Sequence, residues 1–162
     1  MKQMIAALLS LFLLAGCLGG SQPLQGDYFT VTLSVQVDML LDNMHLLNRE
    51  KHELVPTDGV IFPATDARAW DGESVFDLLQ REMRGAGIHL AFRITPVLNS
   101  AYVQAIGNLY EFDAGELSGW VYRVNGEVPS IGSSQYILSP GDVVEWVYSL
   151  DLGRDVGWSE PW

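Results

Sequence analysis

The chain has 162 residues and a net charge of −11 from 9 basic and 20 acidic residues. That length suits one domain, or one domain with a tail, and the charge argues against a nucleic-acid ligand, which needs a basic footprint for the phosphates. A single cysteine, Cys17, excludes an internal disulfide, and the Cys/His spacings of a zinc site are absent.

Lys2 gives the N-terminus a positive charge, and an uncharged apolar run follows from Met4 to Leu14. The run is shorter than the roughly 20 residues a spanning helix needs. It has the anatomy of a secretory signal. Leu14-Ala15-Gly16-Cys17 resembles the bacterial lipobox, which implies cleavage before Cys17 and lipidation of its thiol. Residues 1–16 are thus expected to be a lipoprotein signal peptide. Their removal takes Lys2 away and leaves 8 basic and 20 acidic residues, a charge of −12. Two or more acyl chains hold a protein stably on a membrane, whereas one binds only marginally. Residues 17–27, with Gly19-Gly20-Ser21-Gln22-Pro23, read as the lipidated Cys and a flexible tether. The expected location is the bacterial cell envelope, on the outer face of the cell membrane or its periplasmic side.

A domain is expected over residues 28–150. In 28–38, Phe29, Val31, Leu33, Val35 and Val37 alternate with Thr30, Thr32, Ser34 and Gln36, the pattern of a half-buried antiparallel strand. Residues 39–56 predict a loop with one or two helical turns. His45 and His52 lie there without a third ligand nearby, so surface histidines are the better reading than a metal site. Val60-Ile61-Phe62 predicts a short strand stopped by Pro63, and 67–70 a second short strand. Asp71 or Ser74 can cap a helix whose stripe is Val75, Leu78, Leu79 and Met83, widened by Phe76 and stopped by Gly85 and Gly87.

Ile88, Leu90, Phe92 and Ile94 alternate as a further strand, and Ala101 to Ile106 make another before a break at Gly107-Asn108. Trp120, Tyr122 and Val124 alternate along the next strand, closed by Asn125-Gly126, a strong type I′ turn signal. Ser139-Pro140-Gly141-Asp142 turns the chain into a last strand with Val144, Trp146 and Tyr148 on one face. Residues 151–162 show no periodicity and read as an irregular tail from which Trp158 can pack back onto the sheet. Strands on either side of one helix predict an α+β fold in which a mixed sheet grasps that helix.

Three motifs then occur in order: Gly72-Glu73-Ser74-Val75-Phe76-Asp77-Leu78-Leu79; Tyr102-Val103 with Ile106; and Ser118-Gly119-Trp120-Val121-Tyr122-Arg123-Val124-Asn125-Gly126 with Leu138-Ser139-Pro140-Gly141-Asp142 and the Trp146/Tyr148 strand. Together they resemble the bacterial DUF4430 family, which is similar to the C-terminal β domain of transcobalamin and intrinsic factor. The resemblance spans roughly 28–150 and implies a β-grasp-like mixed sheet on one main helix. In transcobalamin-like proteins the corresponding hairpin helps to cover one face of cobalamin. Carried across, this points to Trp120, Tyr122 and the loop Glu127, Val128, Pro129, Ser130, Ile131 and Gly132 as ligand contacts. Those carriers also have a large helical domain for which this chain has no room, so a corrinoid would be half covered unless a partner protein closed the site.

No catalytic elbow, zinc-protease helix or phosphate loop is present. The carboxylate pairs Glu111/Asp113 and Asp151/Asp155 are more simply solvated loop acids than acid–base catalysts or a calcium site. For Trp146 and Tyr148, core packing is favoured over ligand contact; for Trp120 and loop 127–132 the two stand level. The expectation is a non-catalytic, lipid-anchored module that binds a small ligand such as cobalamin, without a metal or resident cofactor, and with an envelope or transporter protein as a further partner. The alternative is a structural or adhesive module that contacts protein or glycan.

Overall fold

The computed structural model describes residues 27–95 and 100–159. The export signal, Cys17 and most of the tether lie outside the described residues.

Two sheets form. The larger contains β1 (Tyr28–Gln36), β2 (Val60–Trp70), β6 (Gly119–Val124) and β7 (Val143–Ser149), in the order β2-β1-β7-β6. The first and last strands run parallel at its centre, and β2 and β6 close the two edges in antiparallel fashion. The smaller sheet is β3 (Leu90–Thr95), β4 (Ser100–Ile106) and β5 (Leu109–Tyr110), in chain order. This is the expected α+β arrangement.

The main helix, α2 (Val75–Ala86), begins where a cap was legible. Ser74 Oγ accepts the Asp77 N–H while the Asp77 carboxylate accepts from Ser74, a capping box that satisfies orphan donors at both positions. Gly87, at φ 69°, ends it in the left-handed region that a residue without Cβ enters at little cost. Gly85 lies within the helix. Val75, Phe76, Leu78, Leu79 and Met83 pack into one core with Val31, Leu33 and Val35 of β1 and Val144 and Trp146 of β7. A second core gathers Val37, Leu40, Leu47, Leu109, Ala114 and Tyr148. The segment between β1 and β2 supplies part of it: the short helix α1 (Asp38–Leu41) is followed by a 3-10 turn at Met44–Leu46 and a two-turn 3-10 helix at Arg49–Leu54, more helix than the one or two turns expected.

Two strand expectations need correction. Residues 60–70 form one strand, not two, and it passes through Pro63. The register jumps from Leu33↔Thr65 to Val35↔Phe62, so Pro63 falls in a bulge on an edge strand, where its missing N–H breaks no ladder. In β3 the expected inward alternation fails past Leu90. The register with β4 shifts between Ala91 and Phe92, where the extra residue, Gln104, sits on β4; past it Phe92 is 37% and Ile94 55% exposed.

Candidate functional site

The gap between the two sheets is where β4 and β6 approach without pairing. Both strands reach it from hairpins closed by short turns. Gly107 and Asn108 (φ 61° and 65°) turn β4 into β5, and Asn125 and Gly126 (φ 55° and 85°) end β6. A cleft of about 210 Å³ opens in the gap.

Its floor is Trp146 and Tyr122, 3% and 8% exposed, with ring centroids 5.6 Å apart. Trp120 forms one side wall. Its ring lies edge-on to Tyr148 at 5.2 Å, and its Nε1–H donates to the Leu109 carbonyl at 2.8 Å. The facing wall is Ala101, Tyr102 and Val103 of β4. Val128, Pro129, Gly132 and Ser133 roof the cleft. The roof is tied down at several points: Tyr122 Oη donates to the Ile131 carbonyl at 2.6 Å, the Phe76 N–H to the Ser133 carbonyl at 3.0 Å, and the Ala101 N–H to Ser134 Oγ at 2.9 Å. Gly132 sits so close to β4 that a Cβ there would lie 1.8 Å from Ser100 Oγ and 2.8 Å from Ser100 Cβ.

The tail supplies the last wall, through Leu152, Gly153 and Trp158. The Asp155 carboxylate accepts from Ser149 Oγ and from the Leu150 N–H at 2.6 Å, while Ser149 Oγ accepts the Gly153 N–H at 2.6 Å. This knot folds the chain back after β7. The Trp158 N–H donates to the Gly153 carbonyl at 2.8 Å, which brings its indole against the sheet. A single 3-10 turn, Arg154–Val156, lies between them.

Of the residues singled out in the sequence, Trp120, Tyr122, Val128, Pro129 and Gly132 come together on the cleft. Glu127, Ser130 and Ile131 do not line it. Glu127 is exposed beyond the Asn125-Gly126 turn, where its backbone pairs with Val124, and Ser130 is exposed. Ile131 is 46% exposed and contributes its carbonyl to Tyr122. Trp146 and Tyr148 are buried, as core residues should be, yet Trp146 also shows a ring to the cleft. Tyr102, the β4 wall and the tail wall were not singled out as contacts. The signal for Tyr102 was its place in a family-like motif, and for Trp158 an aromatic in an otherwise aperiodic tail.

The acids elsewhere have structural partners. Glu111 accepts from Tyr102 Oη and Gln104 Nε2, Asp113 from Lys51 Nζ and the Tyr110 N–H, and Asp151 from Arg154 at 2.8 Å. Burial is the main cause that raises the Tyr102 hydroxyl to about 12, with the Glu111 hydrogen bond and charge adding to it. Burial likewise pushes Tyr122 and Tyr148 upward. These phenols stay neutral throughout the physiological range. Among the described residues, none on the cleft wall carries a formal charge.

A second cleft of about 220 Å³ shares Tyr102, Trp120, Val121 and Leu152 with the first and adds Phe112 and Leu117. Phe112 (φ 69°) and Leu152 (φ 50°) hold a left-handed backbone that bulky residues rarely adopt. Each is pinned by donating its N–H, Phe112 to the Ser118 carbonyl and Leu152 to the Leu117 carbonyl.

Residues 72–149 match the family described as "Domain of unknown function (DUF4430)". β1 and β2 precede that match, although β1 pairs with β7 inside it. No curated protein matches the chain. A crystal structure of haptocorrin in complex with Cbi is similar at a TM-score of 0.56 and 15% sequence identity, over 76% of this chain and 25% of that chain. The likeness is one of fold, and the present chain corresponds to a quarter of the haptocorrin chain. A crystal structure described as a "putative metal binding protein from Ruminococcus gnavus" is similar at a TM-score of 0.42 and 11% identity, over 76% of this chain and 96% of that one.

Proposed function

We propose that this DUF4430-bearing chain is a non-catalytic ligand-binding module held at the bacterial cell envelope by lipid on Cys17. It would present its aromatic cleft to a small molecule, with a corrinoid as the leading candidate. One observation carries the reading: the cleft is lined by Trp120, Trp146, Trp158, Tyr102 and Tyr122, with no charged side chain among the described residues on its wall, in a protein of net charge −11. Concave, mostly apolar and aromatic sites with few polar groups are what small-molecule sites look like. The fold likeness to haptocorrin, seen in complex with Cbi, supports a corrinoid. A cleft of about 210 Å³ is far smaller than the macrocycle. The corrinoid would therefore lie across the mouth, one face against Trp120 and the 128–133 roof, and an envelope or transporter protein would close the other.

The test is a corrinoid titration followed by Trp fluorescence and melting temperature. A ligand that binds only the folded state raises the melting temperature as its concentration passes Kd, by about 2.7 kcal/mol of stabilisation at a hundredfold excess over Kd. Quenching and a rise in melting temperature, both reduced in Trp158→Ala, are the expected result. No change in either signal at millimolar corrinoid, with candidate transporter proteins present, would end the corrinoid reading. The second reading, a protein-contact module, has one observation in its favour: Phe112, 59% exposed, and Leu117 and Leu152 beside it make an apolar surface next to the cleft. Recovery of a stable complex from envelope extract, with no corrinoid response, would favour it.

A further inference from the structure

We infer that the second cleft, the groove of about 220 Å³ walled by Phe112, Leu117 and Leu152, receives a protein segment that offers an apolar side chain flanked by lysine or arginine. The inference rests on the protein-contact reading above and names the chemistry of the partner.

The apolar part follows from exposure. Phe112, Leu117, Leu152 and Tyr102 are all exposed. Exposed apolar residues scattered singly are ordinary, but these four line one groove. Gathered patches of that kind mark contact surfaces. The loop between β5 and β6 supplies Phe112 and Leu117. The tail supplies Leu152, whose N–H joins it to the loop at the Leu117 carbonyl, 2.8 Å away.

The backbone is an independent sign. Phe112 and Leu152 hold left-handed conformations, at φ 69° and 50°, that glycine or asparagine enters far more easily. Neither side chain is buried in return, so core packing does not account for a bulky residue at either place. Strain kept at an exposed apolar residue points to a use for the side chain itself.

The flanking charges follow from the rim. The Glu111 carboxylate accepts from Tyr102 Oη and the Asp155 carboxylate from Ser149 Oγ, and both of those donors line the groove. Glu116, next to Leu117 in the chain, is exposed. None of these three carboxylates has an ion-pair partner among the described residues. Asp113 and Asp151, which flank Phe112 and Leu152, are matched by Lys51 and Arg154. The remaining cation is Arg93, 4.8 Å over the Tyr102 ring. Three unmatched acids against one base leave the rim negative, in a chain of net charge −11. Such a groove complements an apolar side chain with a basic rim of its own. Two other occupants fit worse. A second copy would set the same acids face to face, and an anionic membrane surface repels them.

The experiment uses the full chain, isotopically labelled, and three capped hexapeptides. They share a central Leu-Phe and differ in the four flanking residues, which are lysine, glutamine or glutamate. The lysine peptide is expected to shift the Phe112, Leu117 and Leu152 resonances, and to bind about tenfold or more tightly than the glutamate peptide. That margin should shrink as salt rises from about 0.05 M to about 0.5 M. Phe112→Asn is expected to weaken the lysine peptide at least about fivefold. It is also expected to raise the melting temperature, because Asn is at ease in left-handed backbone. A lower melting temperature, or failure to fold, makes Phe112 structural and overturns the inference. Lysine-peptide shifts that miss the groove, or no binding at all, overturn it as well. Equal binding of the three peptides at the groove overturns the basic partner and leaves the protein-contact reading standing. Dimerisation of the free chain that Phe112→Asn abolishes, or binding to phosphatidylglycerol vesicles that it abolishes, assigns the groove to a second copy or to lipid and overturns the inference too.

Discussion

Gly132 shows how narrow the tolerances of the roof are. It has no positive φ to explain the choice of residue. What excludes a side chain is Ser100, buried on β4, whose Cβ stands 2.8 Å from where a Gly132 Cβ would be. A rotation of Ser100 can move its hydroxyl but not that carbon. Gly132→Ala is expected to push the roof off β4, to cost about 1–3 kcal/mol as overpacking does, and to weaken ligand binding with it. Chemical denaturation gives the first effect and fluorescence titration the second; an unchanged midpoint would show that the loop relaxes freely. The sequence offered Gly132 as a ligand contact in the 127–132 loop. It could not show that β4, some thirty residues away, stands against it. Trp120 illustrates the same point. Core and contact stood level for it; the structure anchors its Nε1–H on Leu109 and places its ring on the cleft wall. Trp120→Ala would therefore confound folding with binding, and Trp158 is the cleaner position to change.

Among the elements, α2 was the most legible because its signals are local. A cap, an apolar stripe and a terminal glycine lie within about a dozen residues. Ser74→Ala removes the acceptor for the Asp77 N–H and is expected to cost about 1 kcal/mol. The midpoint in denaturant should fall with the slope unchanged, while a changed slope would mean a more expanded denatured or native state. The strands were legible where alternation was unbroken, in β1, β6 and β7. They were misjudged where one extra residue was inserted. A bulge leaves no mark on composition, so the alternation of β3 gave no sign that Phe92 and Ile94 are exposed, and β2 read as two pieces. Pro63 is tolerated because β2 is an edge, and edge position is a property of the sheet rather than of the segment. The tail was the least legible element. Its fold depends on the Ser149–Asp155 knot and on contact with β6, neither of which produces a periodic pattern.

For the whole molecule, the wholly and partly buried phenols bear on behaviour in alkali. Tyr102, Tyr122, Tyr136 and Tyr148 all have hydroxyls raised by burial above the ordinary value of 10.0, Tyr102 to about 12. The neutral form is favoured in the folded state. Their contribution is therefore fully present below pH 10 and is lost as pH rises above 10 through the raised values of the folded state, about 12 for Tyr102, because the unfolded chain releases those protons first. Tyrosinate absorbance from these residues should rise in step with loss of tertiary structure in that interval. Ionisation of Tyr122 and Tyr148 near pH 10 with the tertiary signal intact would contradict the burial that the structure assigns to them.

The parallel pairing of β1 with β7 bears on how the molecule comes into being. Thr32 stands opposite Val143, so the middle of the sheet joins the beginning of the domain to its end. Closing so distant a contact is slow, and nothing nearer in sequence can take its place. A chain delivered from its N-terminus keeps β1 without its central partner until β7 arrives, and β2 alone makes only a marginal hairpin with it. The domain thus locks only when its last strand is available, so a chain cut short before β7 is expected to stay open to proteolysis.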